Sequence, residues 1–168
     1  MNNPEISIII PVFNSALTIK RCIESILEQD FKSWELLLVD DGSSDNSREF
    51  CSKYAEMDSR IVFLCQEHNG VSSARNMALS QMMGTYVCFV DSDDDIEPSY
   101  LSDLYSKRNY DIVICGYYVD YYNDGNQVKQ KVFLTDKYDL EKIENREDFL
   151  SNLIISPILA ITPSTTIS

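Results

Sequence analysis

Four aspartates and a serine stand together at Asp91-Ser92-Asp93-Asp94-Asp95, directly after the apolar run YVCFV at 86–90. Hard divalent cations take carboxylate oxygens, and Mg2+ commonly uses one or two of them while substrate phosphates complete its shell. Read as extended chain, Asp91 and Asp93 point to one side and Ser92 to the other, so the two carboxylates converge on one ion. A metal held there would offset the negative charge on a departing phosphate group. Rival chemistries can be weighed on the same residues. An EF-hand calcium loop starting at Asp91 needs Gly at its sixth position and Glu at its twelfth, where this chain has Ile96 and Ser102. A phosphatase with an aspartyl nucleophile also places D-x-D after an apolar strand, with Thr or Val usual where Asp95 stands. A phosphoacceptor receiver domain uses acidic strand ends as well, together with a lysine at a later strand end that has no evident counterpart here. The last two stay open as alternatives.

Two more polar motifs follow apolar runs: Pro11-Val12-Phe13-Asn14 and Asp40-Asp41-Gly42-Ser43. A carboxylate such as Asp41 accepts a hydrogen bond from a nucleobase N–H. Phe13 offers a face for the base to stack on, with core packing as the alternative. The segment 69–76 (NGVSSARN) opens a helix, so the N–H groups near Gly70 and the guanidinium of Arg75 suit an anion. For Arg75 the plain alternative is a surface ion pair. His68, the sole histidine, has neither a partner nor metal-ligand spacing in view and reads as structural or incidental. Any one of these motifs alone makes a good loop. Three of them at strand ends on one rim is the arrangement in which open α/β sheets bind ligands.

The elements that must hold this rim alternate along the chain. Residues 6–12 (ISIIIPV) form a continuous β-branched run, expected as a strand buried on both faces. Leu17, Ile19, Cys22, Ile23, Ile26 and Leu27 then recur at helical spacing. Residues 34–39 (WELLLV) predict a second strand stopped by Asp40-Asp41-Gly42-Ser43, and a helix capped near Ser44 follows. A third strand is expected at 61–65, then a helix from about Ser72 with Gly84 placed to end it. A fourth strand runs through 86–90, a short helix follows Pro98, and a fifth strand lies at 111–115. This predicts an α/β fold, a mostly parallel sheet with helices on both faces. Beyond Gly116 a hairpin is expected around 123–126 and a helix over 140–153.

Composition narrows the partners. The 168 residues suffice for one ordinary domain with a real core. Acidic residues outnumber basic ones 27 to 14, for a net charge of -13, which repels phosphate backbones and excludes nucleic acid as a natural partner. The same charge repels a nucleotide diphosphate unless a cation intervenes. The five cysteines lack metal-ligand spacing and lie in or beside apolar runs, which predicts reduced, mostly buried thiols and a cytoplasmic setting. There is no signal-peptide pattern and no transmembrane segment of sufficient length.

Taken together, the chain resembles family 2 glycosyltransferases of the GT-A fold. The resemblance rests on ISIIIPVFN (6–14), SILEQDF (25–31), WELLLVDDGSSD (34–45), NGVSSARNMAL (69–79) and GTYVCFVDSDD (84–94), in the family's order. It implies inverting transfer of a sugar from a nucleotide-sugar donor, UDP-sugar favoured, with Mg2+ or Mn2+. By the family pattern Pro11, Val12, Phe13, Asn14, Asp41, Gly70, Arg75, Asp91, Ser92 and Asp93 line the donor site, and Asp93 and Asp91 hold the metal. Residues 1–116 would be the nucleotide-sugar-binding core and 117–168 the start of an acceptor-side region. Inverting transfer needs a carboxylate base on the acceptor side. Glu141, Glu144, Glu147 and Asp148 sit in a pattern that reads as a solvated face, so the base is expected beyond Ser168. A module that binds nucleotide-sugar without transferring it is therefore the alternative function. The family setting implies a glycan or lipid-linked acceptor, polysaccharide assembly, and peripheral placement of the full-length form at the inner face of the membrane.

Overall fold

The computed structural model describes residues 3–110, 113–123, 126–133 and 160–163. The helix expected over 140–153, with Glu141, Glu144, Glu147 and Asp148, lies outside them. In chain order the elements are β1 (Ile6–Val12), α1 (Ile19–Leu27), β2 (Trp34–Asp41), α2 (Ser47–Met57), β3 (Ile61–Gln66) and α3 (Val71–Leu79). Then come β4 (Tyr86–Phe89), α4 (Tyr100–Ser106), β5 (Val113–Ile114), β6 (Tyr117–Asn123), β7 (Asn126–Phe133) and β8 (Ala160–Pro163).

The continuous apolar runs become the centre of the sheet. β1 pairs in parallel with both β2 and β4, and β2 pairs in parallel with β3. Thr162 and Pro163 of β8 pair antiparallel with Val87 and Tyr86, so that β3, β2, β1, β4 and β8 follow one another in the sheet. One face, made by Ile9, Leu37, Val39 and Val87, packs on Ala74 and Ala78 of α3. The alternate residues Ile8, Ile10, Leu36 and Leu38 face the other way and are also fully buried. α2 lies on that second face, because its Arg48 reaches the side chain of Asp40, and α1 packs beside it. The expected mostly parallel sheet with helices on both faces is thus present.

Four local expectations are corrected. β2 does not stop before Asp40 but runs through Asp41; the strand tolerates both carboxylates because alternation sends one to each face, where each finds donors. α2 starts at Ser47, not near Ser44, because the Asp45 carboxylate takes the Ser47 N–H at 3.0 Å while Ser44 is bonded to Asn14. Gly84 does not end α3, whose last residue is Leu79. It is needed instead where the chain enters β4 against β1, since a Cβ there would meet the Ser7 N at 2.6 Å. Leu17 leaves the apolar stripe of α1: it precedes the helix and is 100% exposed.

By compactness the chain divides into Met1–Ile112 with Ile161–Ser168, and Val113–Ala160. The second unit holds β5, two residues long where 111–115 is the expected strand (Asp111 and Ile112 are outside the described residues), and the antiparallel hairpin of β6 and β7, which was expected. Its register is irregular at Tyr121/Tyr122.

Candidate functional site

The ends of β1, β2 and β4 open on one side of the sheet, and their loops are tied to each other there. Asn14 adopts a left-handed φ of 49°, which Asn tolerates better than most residues. Its Oδ1 accepts from Ser44 N at 2.9 Å, and its N–H donates to Ser43 Oγ at 3.0 Å. Ser15 N donates to Ser47 Oγ at 2.7 Å, and Ser15 Oγ lies 2.7 Å from Ser92 Oγ. Asp45 accepts from Ala16 N at 3.0 Å, which fixes the loop before α1 onto the start of α2. The β1 loop is therefore the keystone between the other two.

These loops surround a cleft of about 280 Å³ lined by Pro11, Val12, Phe13, Asp41, His68, Gly70, Val71, Asp91, Ser92 and Asp93. Eight of the ten expected donor-site residues meet in it, and Asn14 and Arg75 do not line it. Asn14 serves the loop ties just described. Arg75 Nη2 donates to Asp91 Oδ1 at 2.9 Å, with its guanidinium 5.6 Å from the centre of the Phe89 ring.

Asp41 and the acidic turn differ in how far the protein already satisfies them. Asp41 Oδ1 accepts from Gln66 Nε2 at 2.6 Å and Asn69 N at 2.8 Å, and Oδ2 accepts from Gly70 N at 2.9 Å. The anion at the start of α3 is thus a side chain of this protein, and the N–H groups expected to suit an external anion are taken up by it. Burial pushes the Asp41 carboxyl up, but these hydrogen bonds and the neighbouring His68 outweigh burial and hold it below its ordinary value. Asp93 has no hydrogen-bond or ion-pair partner for its carboxylate among the described residues, and Asp91 gives only one oxygen to Arg75. Desolvation, followed by the fields of Asp93, Asp91 and Asp95, pushes Asp94 above its ordinary value.

The acidic segment is not extended, as the D-x-D reading assumed. Asp94 N donates to Asp91 O at 3.1 Å, closing a turn with Ser92 and Asp93 at its centre. Ser92 accordingly lines the cleft instead of facing away. α1 holds this turn: Arg21 Nη2 donates to Asp93 O at 2.8 Å, Cys22 Sγ to Asp91 O at 3.5 Å, and Ile96 N to Ser25 Oγ at 3.2 Å. No group of three or more potential ligands gathers among the described residues. Two under-used carboxylates suit a cation whose remaining ligands come from a diphosphate.

Sequence reasoning passed over His68. Its ring stacks on Phe13 with centroids 4.3 Å apart at 25°, and its Nδ1 lies 2.9 Å from Asp41 Oδ2. The partner is 27 residues away in the chain, so spacing gave no signal. The parallel pairing of β2 with β3 brings the two together. Arg21 and Ser15 were missed for the same reason.

A mostly parallel sheet with a satisfied carboxylate at the end of β2 and an acidic turn after β4, on either side of β1, is the arrangement of a GT-A-type α/β domain. The chain belongs to glycosyl transferase family 2, whose family model matches residues 7–163. It is 40% identical over 152 residues to glycosyltransferase GlyA of Streptococcus pneumoniae, covering 89% of this chain and 21% of that one. Among solved structures it resembles S. aureus TarS 1-349 in complex with UDP-GlcNAc, with a TM-score of 0.62, 31% identity, and coverage of 75% of this chain and 37% of that one. Mannosyltransferase PcManGT from Pyrobaculum calidifontis, in complex with GDP-Man and Mn2+, matches at a TM-score of 0.51 and 28% identity, covering 55% of this chain and 28% of that one. The chain thus spans well under half the length of these relatives. Among the described residues no helix is long and apolar enough to cross a membrane.

Proposed function

We propose that this chain is the donor-binding part of a glycosyltransferase that moves a sugar from a nucleotide-sugar, UDP-linked, to an acceptor hydroxyl with inversion, dependent on Mg2+ or Mn2+. The observation that carries this reading is the cleft that joins Phe13 and Asp41 to Asp91, Ser92 and Asp93. Phe13, 46% exposed, supplies a stacking face, and Asp41 a fixed carboxylate for a base N–H. When bound, the cation held by Asp93 and Asp91 offsets the charge of the diphosphate and of the leaving nucleotide. Arg75 and Arg21 orient that turn through the Asp91 carboxylate and the Asp93 carbonyl. The neighbour in complex with UDP-GlcNAc supports the choice of UDP, and the one with Mn2+ supports a divalent cation. The acceptor, a glycan or lipid-linked hydroxyl, and its carboxylate base belong to the remainder of the acceptor side, which we take to start at about residue 117.

Calorimetric titration with UDP, with and without Mn2+, tests the reading beside an Asp93→Ala variant. Binding that requires Mn2+ and falls at least about tenfold in the variant is expected, since loss of even an outer-shell partner of a metal ligand costs about that much. Equal binding by both proteins would remove the acidic turn from the donor site.

A further inference from the structure

His68 does to Phe13 and Asp41 what a nucleobase would be expected to do. A flat heteroaromatic ring lies on the Phe13 face at 4.3 Å, and its Nδ1 points at Asp41. Both atoms within reach of Nδ1, Asp41 Oδ2 at 2.9 Å and Asp41 O at 3.1 Å, are acceptors, so Nδ1 carries a proton and donates it. A carboxylate offers about four acceptor positions. Gln66, Asn69 and Gly70 fill three on Asp41, and the imidazole, whose Nδ1–H is bonded to the Asp41 carbonyl at 3.1 Å, stands 2.9 Å from Oδ2 across the fourth. The position a base edge needs is therefore covered from within.

We infer that the His68 side chain is a resident occupant of the nucleobase slot, and that a nucleotide must displace it to reach Asp41. The inference rests on the nucleotide-sugar reading above and deepens it. The ring can leave without moving its backbone. The His68 main chain is packed against Gly42, where an added Cβ would meet the His68 N at 2.8 Å, while the His68 side chain is 59% exposed. Displacement is thus a side-chain rotation into solvent. It also sets a condition on the entering base. To use the carboxylate position the ring uncovers, the base must present an N–H of its own, as the ring imide of uracil does.

A binding-competent state that is only partly populated weakens apparent affinity by the populated fraction. Removing the ring should therefore tighten UDP binding by about 3- to 10-fold in a His68→Ala variant, measured by calorimetry with Mg2+. A second readout uses the wild-type chain, whose one histidine gives unambiguous imidazole proton signals by NMR. Stacked on Phe13, these signals lie upfield, and saturating UDP should move them toward the values of an unstacked imidazole. Equal or weaker UDP binding by the variant, or imidazole signals that stay in place at saturation, overturns the inference and leaves the nucleotide-sugar reading standing. If UDP binds neither protein, that reading falls and the inference falls with it.

Discussion

Asp40 and Asp41 are neighbours in sequence with opposite surroundings. Asp40 is fully buried on the α2 face and is met by Arg48 Nε at 3.1 Å and Nη2 at 2.9 Å. Asp41 faces α3 and depends on neutral donors from Gln66, Asn69 and Gly70. Changing Asp41 to Asn turns one acceptor atom into a donor that confronts these N–H groups. The expected loss is roughly 2–3 kcal/mol, because buried donors are left without partners. The pH dependence follows from the direction of the shift. The folded-state carboxyl lies below its ordinary 3.8, so the wild-type advantage is complete above that value and disappears as pH falls through the folded-state value. Urea unfolding of both proteins at a series of acidic pH values checks this. A stability difference that stayed constant down to the lowest pH would mean that the Asp41 charge is not what the site holds.

At the scale of elements, close approach matters more than turn chemistry at Gly84. The glycine is buried where the chain enters β4, and its N–H donates to Ser7 Oγ at 2.9 Å and Glu35 Oε1 at 3.1 Å. A Cβ there would sit 2.5 Å from Ser7 Oγ and 2.6 Å from the Ser7 N. Gly84→Ala should therefore cost roughly 1–3 kcal/mol through overpacking, seen as a lower urea midpoint with an unchanged slope. A neutral substitution would show that β4 can shift along β1. A softer element joint is the Asp45 tie between the β1 loop and α2. Asp45→Ala removes the acceptor for Ala16 N and Ser47 N and should cost roughly 1 kcal/mol, as lost helix caps do, again read from the urea midpoint. Legibility in the sequence follows the same division. The buried centre of β1 and β2 was readable because residues with no polar atoms to satisfy have one place to go. The three strand-end motifs were readable as a rim because the α/β pattern places all such ends on one side. What escaped were contacts made only by the fold: the His68 ring on Phe13, Arg21 on the acidic turn, and Gly84 against Ser7. The turn at Asp91 escaped for a related reason, since a D-x-D string is compatible with extended or turned backbone until the Asp94 N–H chooses.

On the scale of the whole molecule, a chain of net charge -13 should not attract a diphosphate. The acidic turn sharpens the difficulty, since desolvation and the surrounding carboxylates already push Asp94 toward its protonated form. Arg21 and Arg75 are engaged there with Asp93, Asp95 and Asp91, so local cations are partly neutralised before any ligand arrives. Two different salt effects follow for UDP. With a chelator present, binding should be weak, and raising salt from about 0.01 M to about 0.1 M should strengthen it by shortening the reach of the repulsion from about 30 Å to about 10 Å. With saturating Mg2+ the turn's charge is offset locally, and the same salt increase should leave affinity nearly unchanged or lower it by screening metal–phosphate attraction. Fluorescence or calorimetric titrations at two ionic strengths, each with Mg2+ and with chelator, separate the cases. A single salt trend in both series would mean that the cation does not reverse the field at the rim, and the acidic turn would then be a structural feature of the β4 loop alone.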